Sequence, residues 1–570
     1  MGFLAKMRIY TKIPRDLSLN LIVQKLSEPL LLIAPGRRWA RWEMLTLLGL
    51  LSLYVALATY KIHLPGLYYD EILFVGPATG ERPYLKCFGL PILIFPYIGG
   101  LKSWIYTPIF ALFGVSPVSI RLPAILISCG TLALGYSLVR MILTPPWAVA
   151  FTGACTVHPG FVLLTRVDLG PIALMLFLKA LCLLLLFKWL EGPQRICWSV
   201  FAVCIVGFFD KFNFIWFVVA LVFSTSAIYG VEIFRKLRSM PVRVLLAIAT
   251  TLMAVGLLLL WIVYPLLQRP HIRMSSGRFS QIWSLYESMS TGGATAYLWF
   301  KSAPTVSSWT GWGVLSLIAI FLLLTLVSYG LRAPANKNVD TRALRFCLWC
   351  VLMFGIILVE IVLTPQAGGP HHAIMLFPFD LLAGFSAAFL FANAFSEMRS
   401  QVILLEGCVL IIWVASNLRS FETHFSKFSD VSSFRGRWSP HVELLAAYLN
   451  DEAKNVDSIY TTDWGIGFEL TALCRPDIGR KVKDAWGAFL GWSPDGPDAA
   501  AGVARGFPQE KKALYVSFVP EESVFPQTLQ NFERMRVMAG NTTKRVPDVS
   551  PAIAETYQIF EKPASGVDRQ

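Results

Sequence analysis

Five short polar clusters stand where apolar runs of this chain end: Tyr69-Asp70-Glu71, Arg166-Val167-Asp168, Asp210-Lys211, Arg269-Pro270-His271 and Gly369-Pro370-His371-His372. Their residue types cover what a group transfer needs: carboxylates that take a proton, fixed cations that hold an anion, and imidazoles that do either. A carboxylate close to a water–lipid boundary is poorly solvated, which raises its basicity and suits Asp70 to proton abstraction. Plainly basic turns separate the clusters: Arg140, Lys188 with Arg195, Arg235-Lys236-Leu237-Arg238 with Arg243, and Arg332, Lys337, Arg342 and Arg345. In a chain that crosses a membrane many times, this alternation gathers the clusters on one side and the basic turns on the other. A transporter would bury its ionisable groups at mid-membrane. A catalyst working on a lipid-linked substrate would place them at the boundary.

The elements that must position these residues follow from composition. The 570 residues are 55% hydrophobic and 15% charged, more apolar surface than a soluble fold of this length can hide. The net charge of +14 is concentrated in short loops, as expected of cytoplasmic turns. No exposed basic face with interleaved aromatics is present, which excludes a nucleic-acid partner. A spanning helix takes about 20 apolar residues, and about eleven stretches qualify. They are 43–60, 120–139, 147–164, 171–190, 196–209, 214–231, 244–264, 307–331, 346–363, 373–395 and 402–418. The basic residues of segment 1–42 keep it in the cytoplasm, where 16–34 reads as an amphipathic surface helix. The membrane domain is 43–418, with a first outer loop at 61–119. Two interrupted apolar stretches in that loop, around 90–98 and 104–113, read as interfacial or partly embedded helices. Residues 419–570 are polar, with helical patterns near 441–449 and 527–538 and strand patterns at 458–462, 513–518 and 556–560. That alternation predicts an extracytoplasmic C-terminal α/β domain. The ten cysteines are scattered, and the Cys347/Cys350 pair falls in an apolar run, where core packing outweighs metal binding.

The order of motifs resembles a family. A first outer loop with Asp70-Glu71 precedes Leu112-Phe113-Gly114-Val115-Ser116 and Ile120-Arg121-Leu122-Pro123-Ala124. A basic inner turn and an outward helix ending Thr165-Arg166-Val167-Asp168 come next. This looks like the GT-C glycosyltransferases, specifically the protein O-mannosyltransferase and aminoarabinose lipid A transferase superfamily. The likeness covers roughly 43–400 as architecture and is specific over about 60–190; the C-terminal domain does not contribute. It implies a membrane enzyme that moves a hexose or pentose, with inversion, from a polyprenyl-phosphate carrier to a hydroxyl on a glycolipid such as lipid A, a polysaccharide or a protein. It implies Asp70 as general base and Glu71 as an orienting neighbour. Arg166 would steer Asp70 or contact phosphate, and Asp168 would hold the geometry.

A leaving phosphate needs fixed positive charge, for which the candidates are Lys86, Lys102, Lys211, Arg269 and Arg273. Where relatives carry Lys-Pro-Pro, this chain has Glu81-Arg82-Pro83 and Gly100-Leu101-Lys102. Lys211 faces outward against the positive-inside trend. His271, His371 and His372 are candidates for phosphate, sugar or a divalent cation assembled from distant Glu and His, the one cofactor the chain leaves open. There is no Gly-x-Ser-x-Gly elbow and no phosphate-cradling P-loop, which disfavours hydrolase chemistry and nucleotide use. A transporter or flippase of lipid-linked glycans and a membrane scaffold are the competing readings. The first predicts internal pseudo-symmetric halves and charges at mid-membrane, neither of which the sequence shows, and the second leaves the outward clustering unexplained. Without a retention signal, the bacterial inner membrane is the expected location, with the site on its periplasmic face.

Overall fold

The computed structural model describes residues 39–80, 85–244, 277–304, 340–507, 512–540, 543–547 and 549–563, with scattered positions of 246–257 and 313–323. Helix α1 (Arg41–Thr59) leads into the first loop, where α2 (Tyr69–Ile72) and α3 (Val75–Ala78) are single turns. Strands β1 (Leu85–Cys87), β2 (Leu90–Phe95) and β3 (Ile98–Gly99) then form an antiparallel sheet. The helix expected around 90–98 is therefore a pair of strands. Pro91 and Pro96 remove amide donors that a helix would use, and the apolar run between them fits an extended chain. The second expected helix of the loop is present as α4 (Leu101–Phe113), closed by Gly114 at φ +69°.

Helix α5 (Pro117–Ile142) starts on a capping pair, Ser116 accepting the Ser119 amide at 3.2 Å. Helices α6 (Pro145–Thr156) and α7 (Pro159–Val167) form one broken span bent by 57°. Pro159 cannot continue the ladder, and His158 Nδ1 restarts it by accepting the Phe161 amide at 3.1 Å. The bundle continues with α8 (Ile172–Glu191), α9 (Ile196–Asp210), α10 (Phe214–Arg238), α11 (Arg278–Thr291) and α12 (Gly293–Trp299). It ends with α13 (Thr341–Leu363), α14 (Pro370–Ala373), α15 (Phe379–Ala394) and α16 (Arg399–Lys427). Among the described residues, seven helices are long and apolar enough to cross a membrane, eight if the bent pair counts as one span. Helix α9 is a shorter apolar helix. The expected spans at 244–264 and 307–331 lie largely outside the described residues, as does the expected surface helix at 16–34.

Ion pairs stitch the two ends of the bundle differently. At the basic-turn end, Arg140 pairs with Glu43 at 2.5 Å, Arg342 with Glu191, and Arg345 with Glu232 at 2.7 Å. Each joins two helices, so carboxylates hidden among the basic turns neutralise part of their charge. Inside the bundle, contrary to the sequence reading, Lys179 and Asp380 are buried. Lys179 donates to the carbonyls of Met375, at 3.0 Å, and Phe377. Those carbonyls belong to the break before α15, where Pro378 interrupts the helix, so the lysine supplies donors that no helix provides there.

The C-terminal domain, the outer domain of the sequence reading, contains α17 (His441–Glu452), β4 (Ser458–Thr461), α18 (Ile466–Leu473), β5 (Val482–Asp484), β6 (Ala513–Phe518), α19 (Pro526–Met538), β7 (Lys544–Arg545) and β8 (Tyr557–Lys562). Its sheet runs β5-β4-β6-β8-β7, parallel across the first three strands and antiparallel at β8 and β7. Strands β4 and β6 are buried along their whole length, as the centre of a two-sided sheet requires. The domain is sewn to the first loop. Gly66 donates to the Trp438 carbonyl at 2.8 Å, and the Tyr68 and Trp438 rings stack at 4.1 Å. Tyr69 meets Trp464 at 4.6 Å and Phe468 at 4.8 Å.

Candidate functional site

The cluster forms where the first loop, the end of α7, the end of α9 and the outer domain meet. Asp70 lies on the single turn α2 and is half-buried. Among the described residues it has no hydrogen-bond partner. Burial raises its pKa above the ordinary carboxylate value, opposed first by the charge of Lys211 and then by that of Arg437. Glu71, its neighbour, behaves differently. It is fully buried and gripped by Arg121, Nε to Oε1 at 2.5 Å and an Nη to Oε2 at 2.8 Å. Arg121 also donates to the carbonyls of Ile62, Pro65 and Gly66 at 2.7, 2.8 and 3.2 Å. Every donor of that guanidinium serves the 62–71 segment, so Arg121 shapes the loop that presents Asp70.

Arg166 has a related task. It donates to the Lys61 carbonyl at 2.6 Å and to the Leu64 carbonyl at 2.5 and 3.2 Å, with its guanidinium 5.0 Å from the Phe428 ring centre. Its hydrogen bonds therefore reach the loop backbone and not Asp70 itself. Arg166 makes no ion pair with its near neighbour Asp168. Asp168 instead pairs with Lys102 at 2.6 Å, both side chains almost wholly buried, and accepts the Ala173 amide at 2.8 Å. It sits in the left-handed region at φ +44°, which turns the chain sharply between α7 and α8. Lys102 also lies 4.4 Å from the Phe74 ring centre.

Lys211 reaches the cluster because the first-loop sheet extends to it. Ile98 bridges Lys211 in antiparallel fashion, and Phe212 donates to the Tyr97 carbonyl at 3.0 Å. Gly99 lies so close to the Phe209 carbonyl that a Cβ would overlap it. The buried Lys211 ammonium makes one long contact, 3.4 Å to the Gly170 carbonyl. Burial lowers its pKa, and Asp70 is foremost among the neighbours that hold it up. Next to it, Asp210 is buried with neither carboxylate oxygen bonded among the described residues.

The rings of His371 and His372 lie 4.0 Å apart in the turn before α15. His372 Nδ1 accepts the Gly369 amide at 3.3 Å, and its ring stands edge-on to Trp216 at 5.7 Å. His371 Nδ1 is buried without a partner among the described residues. The charge of Lys211 acts on both rings. Lys86 does not: it is exposed on β1 and donates to the Gly80 carbonyl at 3.1 Å. Arg269, His271 and Arg273 lie outside the described residues. Among the described residues no three His, Cys, Asp or Glu side chains gather as a metal site.

Sequence reasoning passed over two contributors. Arg121 stood inside a quoted motif, and its position opposite Glu71 depends on the packing of α5 against the first loop. The C-terminal domain was expected as a fold but given no part in the site, yet it supplies Arg437, Trp438 and Trp464 around Tyr68–Asp70. Glu469 from α18 is also buried there, its carboxyl raised well above the usual range by burial and by Glu71.

A multi-span helical bundle, a loop with one helical turn and a small sheet over its end, and an α/β domain on that loop define a multi-pass membrane protein with the GT-C type of fold. The crystal structure of ArnT from Cupriavidus metallidurans bound to undecaprenyl phosphate matches it over 93% of this chain and 99% of its own, at TM-score 0.50 and 13% identity. The apo structure of the same ArnT matches over the same shares at TM-score 0.43. ArnT is an aminoarabinose lipid A transferase of the GT-C class. No protein-family profile and no curated protein matches the chain in sequence. The likeness is one of fold. A match over 93% of the chain must include much of 419–570, so the shared architecture extends into the domain that the motifs left out.

Proposed function

We propose that this protein is a membrane glycosyltransferase that moves a sugar from a polyprenyl-phosphate donor to an acceptor hydroxyl. The observation that carries this reading is the convergence of Asp70 and Lys211, a base and a cation from distant segments, under the outer domain. The Asp70 carboxylate takes the proton of the acceptor hydroxyl as that oxygen attacks the anomeric carbon. The bond from that carbon to the phosphate oxygen breaks, its electron pair stays on the phosphate, and the sugar inverts. The growing phosphate charge is met by Lys211, held in a dry setting where a fixed cation acts strongly. Glu71–Arg121, Lys102–Asp168 and Arg166 keep the loop and the helix ends in register around Asp70.

The remainder of the reading follows from chain order. On the expected count of about eleven spans, with the N-terminus inside and the C-terminal domain outside, the site would lie on the extracytoplasmic face of a bacterial inner membrane. The undecaprenyl phosphate bound by the ArnT structure supports a donor of that class. The test is transfer by the purified protein from radiolabelled polyprenyl-phosphate sugars to crude membrane acceptors. Label that stays on the lipid with every donor and acceptor tried sinks the proposal.

A further inference from the structure

We infer that Arg437, a residue of the outer domain, binds the donor: together with Lys211 it clamps the phosphate of the polyprenyl carrier. The inference rests on the transferase reading above. Its geometry comes from the way 436–439 is fastened to the first loop. Trp438 stacks on Tyr68 with ring planes 10° apart, and its carbonyl accepts the Gly66 amide at 2.8 Å. Gly66 lies against the Ser439 carbonyl so closely that a Cβ would overlap it. These contacts fix position 437 beside the turn that carries Asp70. Gly436 and Trp438 are buried, whereas the Arg437 side chain between them is half-exposed. Among the described residues it makes no ion pair or hydrogen bond. Its charge nevertheless acts on both Tyr68 and Asp70.

The other cations of the site among the described residues are committed to protein partners. Lys102 serves Asp168, Arg121 serves Glu71 and three carbonyls, and Arg166 serves the 61–64 turn through Nε and one Nη, its other Nη being enclosed without a partner among the described residues. Lys211 has one long contact, and Arg437 has none among the described residues. Lys211 and Arg437, neither held by an ion pair among the described residues, therefore act on one carboxylate, one from the membrane bundle and one from the outer domain. A phosphate offers several acceptor oxygens, and a guanidinium fork presents paired donors to such a group. When the sugar leaves, the phosphodiester anion becomes a monoester with additional negative charge. A second cation meets that increase. On this geometry the outer domain is part of the donor site.

The experiment titrates the detergent-solubilised full chain with undecaprenyl phosphate by calorimetry. Arg437→Gln removes no internal contact, so it should melt like wild type while raising Kd about tenfold or more. Arg437→Lys keeps the charge but loses the fork and should fall between the two. Arg505→Gln, at an exposed position elsewhere on the same domain, should bind as wild type does. Wild-type Kd in both Arg437 variants overturns the clamp and leaves the transferase reading standing. A lowered melting temperature with donor affinity intact assigns Arg437 a structural role and overturns the clamp equally. A wild-type chain that binds no undecaprenyl phosphate overturns both.

Discussion

Arg121 holds Glu71 through two hydrogen bonds of 2.5 and 2.8 Å, both side chains fully buried, while Asp70 one residue earlier has no such partner among the described residues. Adjacent carboxylates thus have different surroundings. Glu71→Gln would leave the Arg121 charge buried without its counter-ion, a loss of about 3–5 kcal/mol for a pair of this kind. The expected outcome is a clearly lower melting temperature in detergent, with activity falling as the loop loosens. A variant that melts like wild type would remove Glu71 from its anchoring role.

Asp70→Asn should do the opposite. Turnover should drop by about 10²–10⁴-fold, the usual scale of general-base catalysis, because the amide cannot accept the acceptor's proton. Folding should survive. A buried carboxyl with a raised pKa holds its proton more tightly in the folded state than in the unfolded chain. Its contribution to stability is full at low pH and is lost as pH rises through the raised value. The neutral amide escapes that loss, so Asp70→Asn should melt at or above the wild-type temperature at neutral pH. Near-wild-type transfer would remove the base from the mechanism.

The same pKa direction predicts a pH profile. The base works deprotonated, so kcat/KM should fall as pH drops through the Asp70 pKa, at a limb above the ordinary aspartate value of about 3.9. The limb should vanish from the residual activity of Asp70→Asn. A limb that stays at the same pH in that variant belongs to another group.

Much of this arrangement was legible in the sequence because hydropathy and charge are local signals. The described spans, the strands at 458–461 and 513–518 and the gathering of Asp70, Asp168 and Lys211 all follow from runs and their parity. What escaped depends on contacts between distant segments. No local pattern says that Arg121 faces Glu71, or that Lys102 rather than Arg166 pairs with Asp168. The strand pair at 90–99 was read as helix because its apolar content outweighed its prolines. Lys179 escaped because one cation inside an apolar run gives no sign of the carbonyls it will meet. The outer domain looked separate because its role lies in a few aromatic contacts across a boundary that composition draws sharply.

The Lys102–Asp168 pair, at 2.6 Å and almost wholly buried, predicts strong coupling. Lys102→Met leaves a buried carboxylate and Asp168→Asn a buried ammonium, so each alone should destabilise substantially. Asn tolerates the left-handed backbone at position 168, which keeps the turn between α7 and α8 out of the comparison. The double variant should be more stable than the sum of the single effects predicts, by about 1–3 kcal/mol in a double-mutant cycle. Additive effects would mean that the pair does not hold α4 to the end of α7.

Sidedness yields the last prediction, and the structure makes it internally demanding. Arg435 donates to the Trp299 carbonyl, and Lys301 to the Ser433 carbonyl, each at 2.8 Å. The end of α12 and the start of the outer domain must therefore share one side of the membrane. At the other end, Arg342 pairs with Glu191 and Arg345 with Glu232, so the ends of α8 and α10 share a side with the start of α13. The density of basic residues in those turns predicts that this side is the cytoplasm. Reporter fusions at Arg238 and Arg342 should report cytoplasm, and fusions at Gly293 and Asn450 should both report the outside. Disagreement between Gly293 and Asn450 would contradict the backbone pairing itself. A cytoplasmic signal from both would invert the topology and place Asp70 on the face opposite to the one proposed.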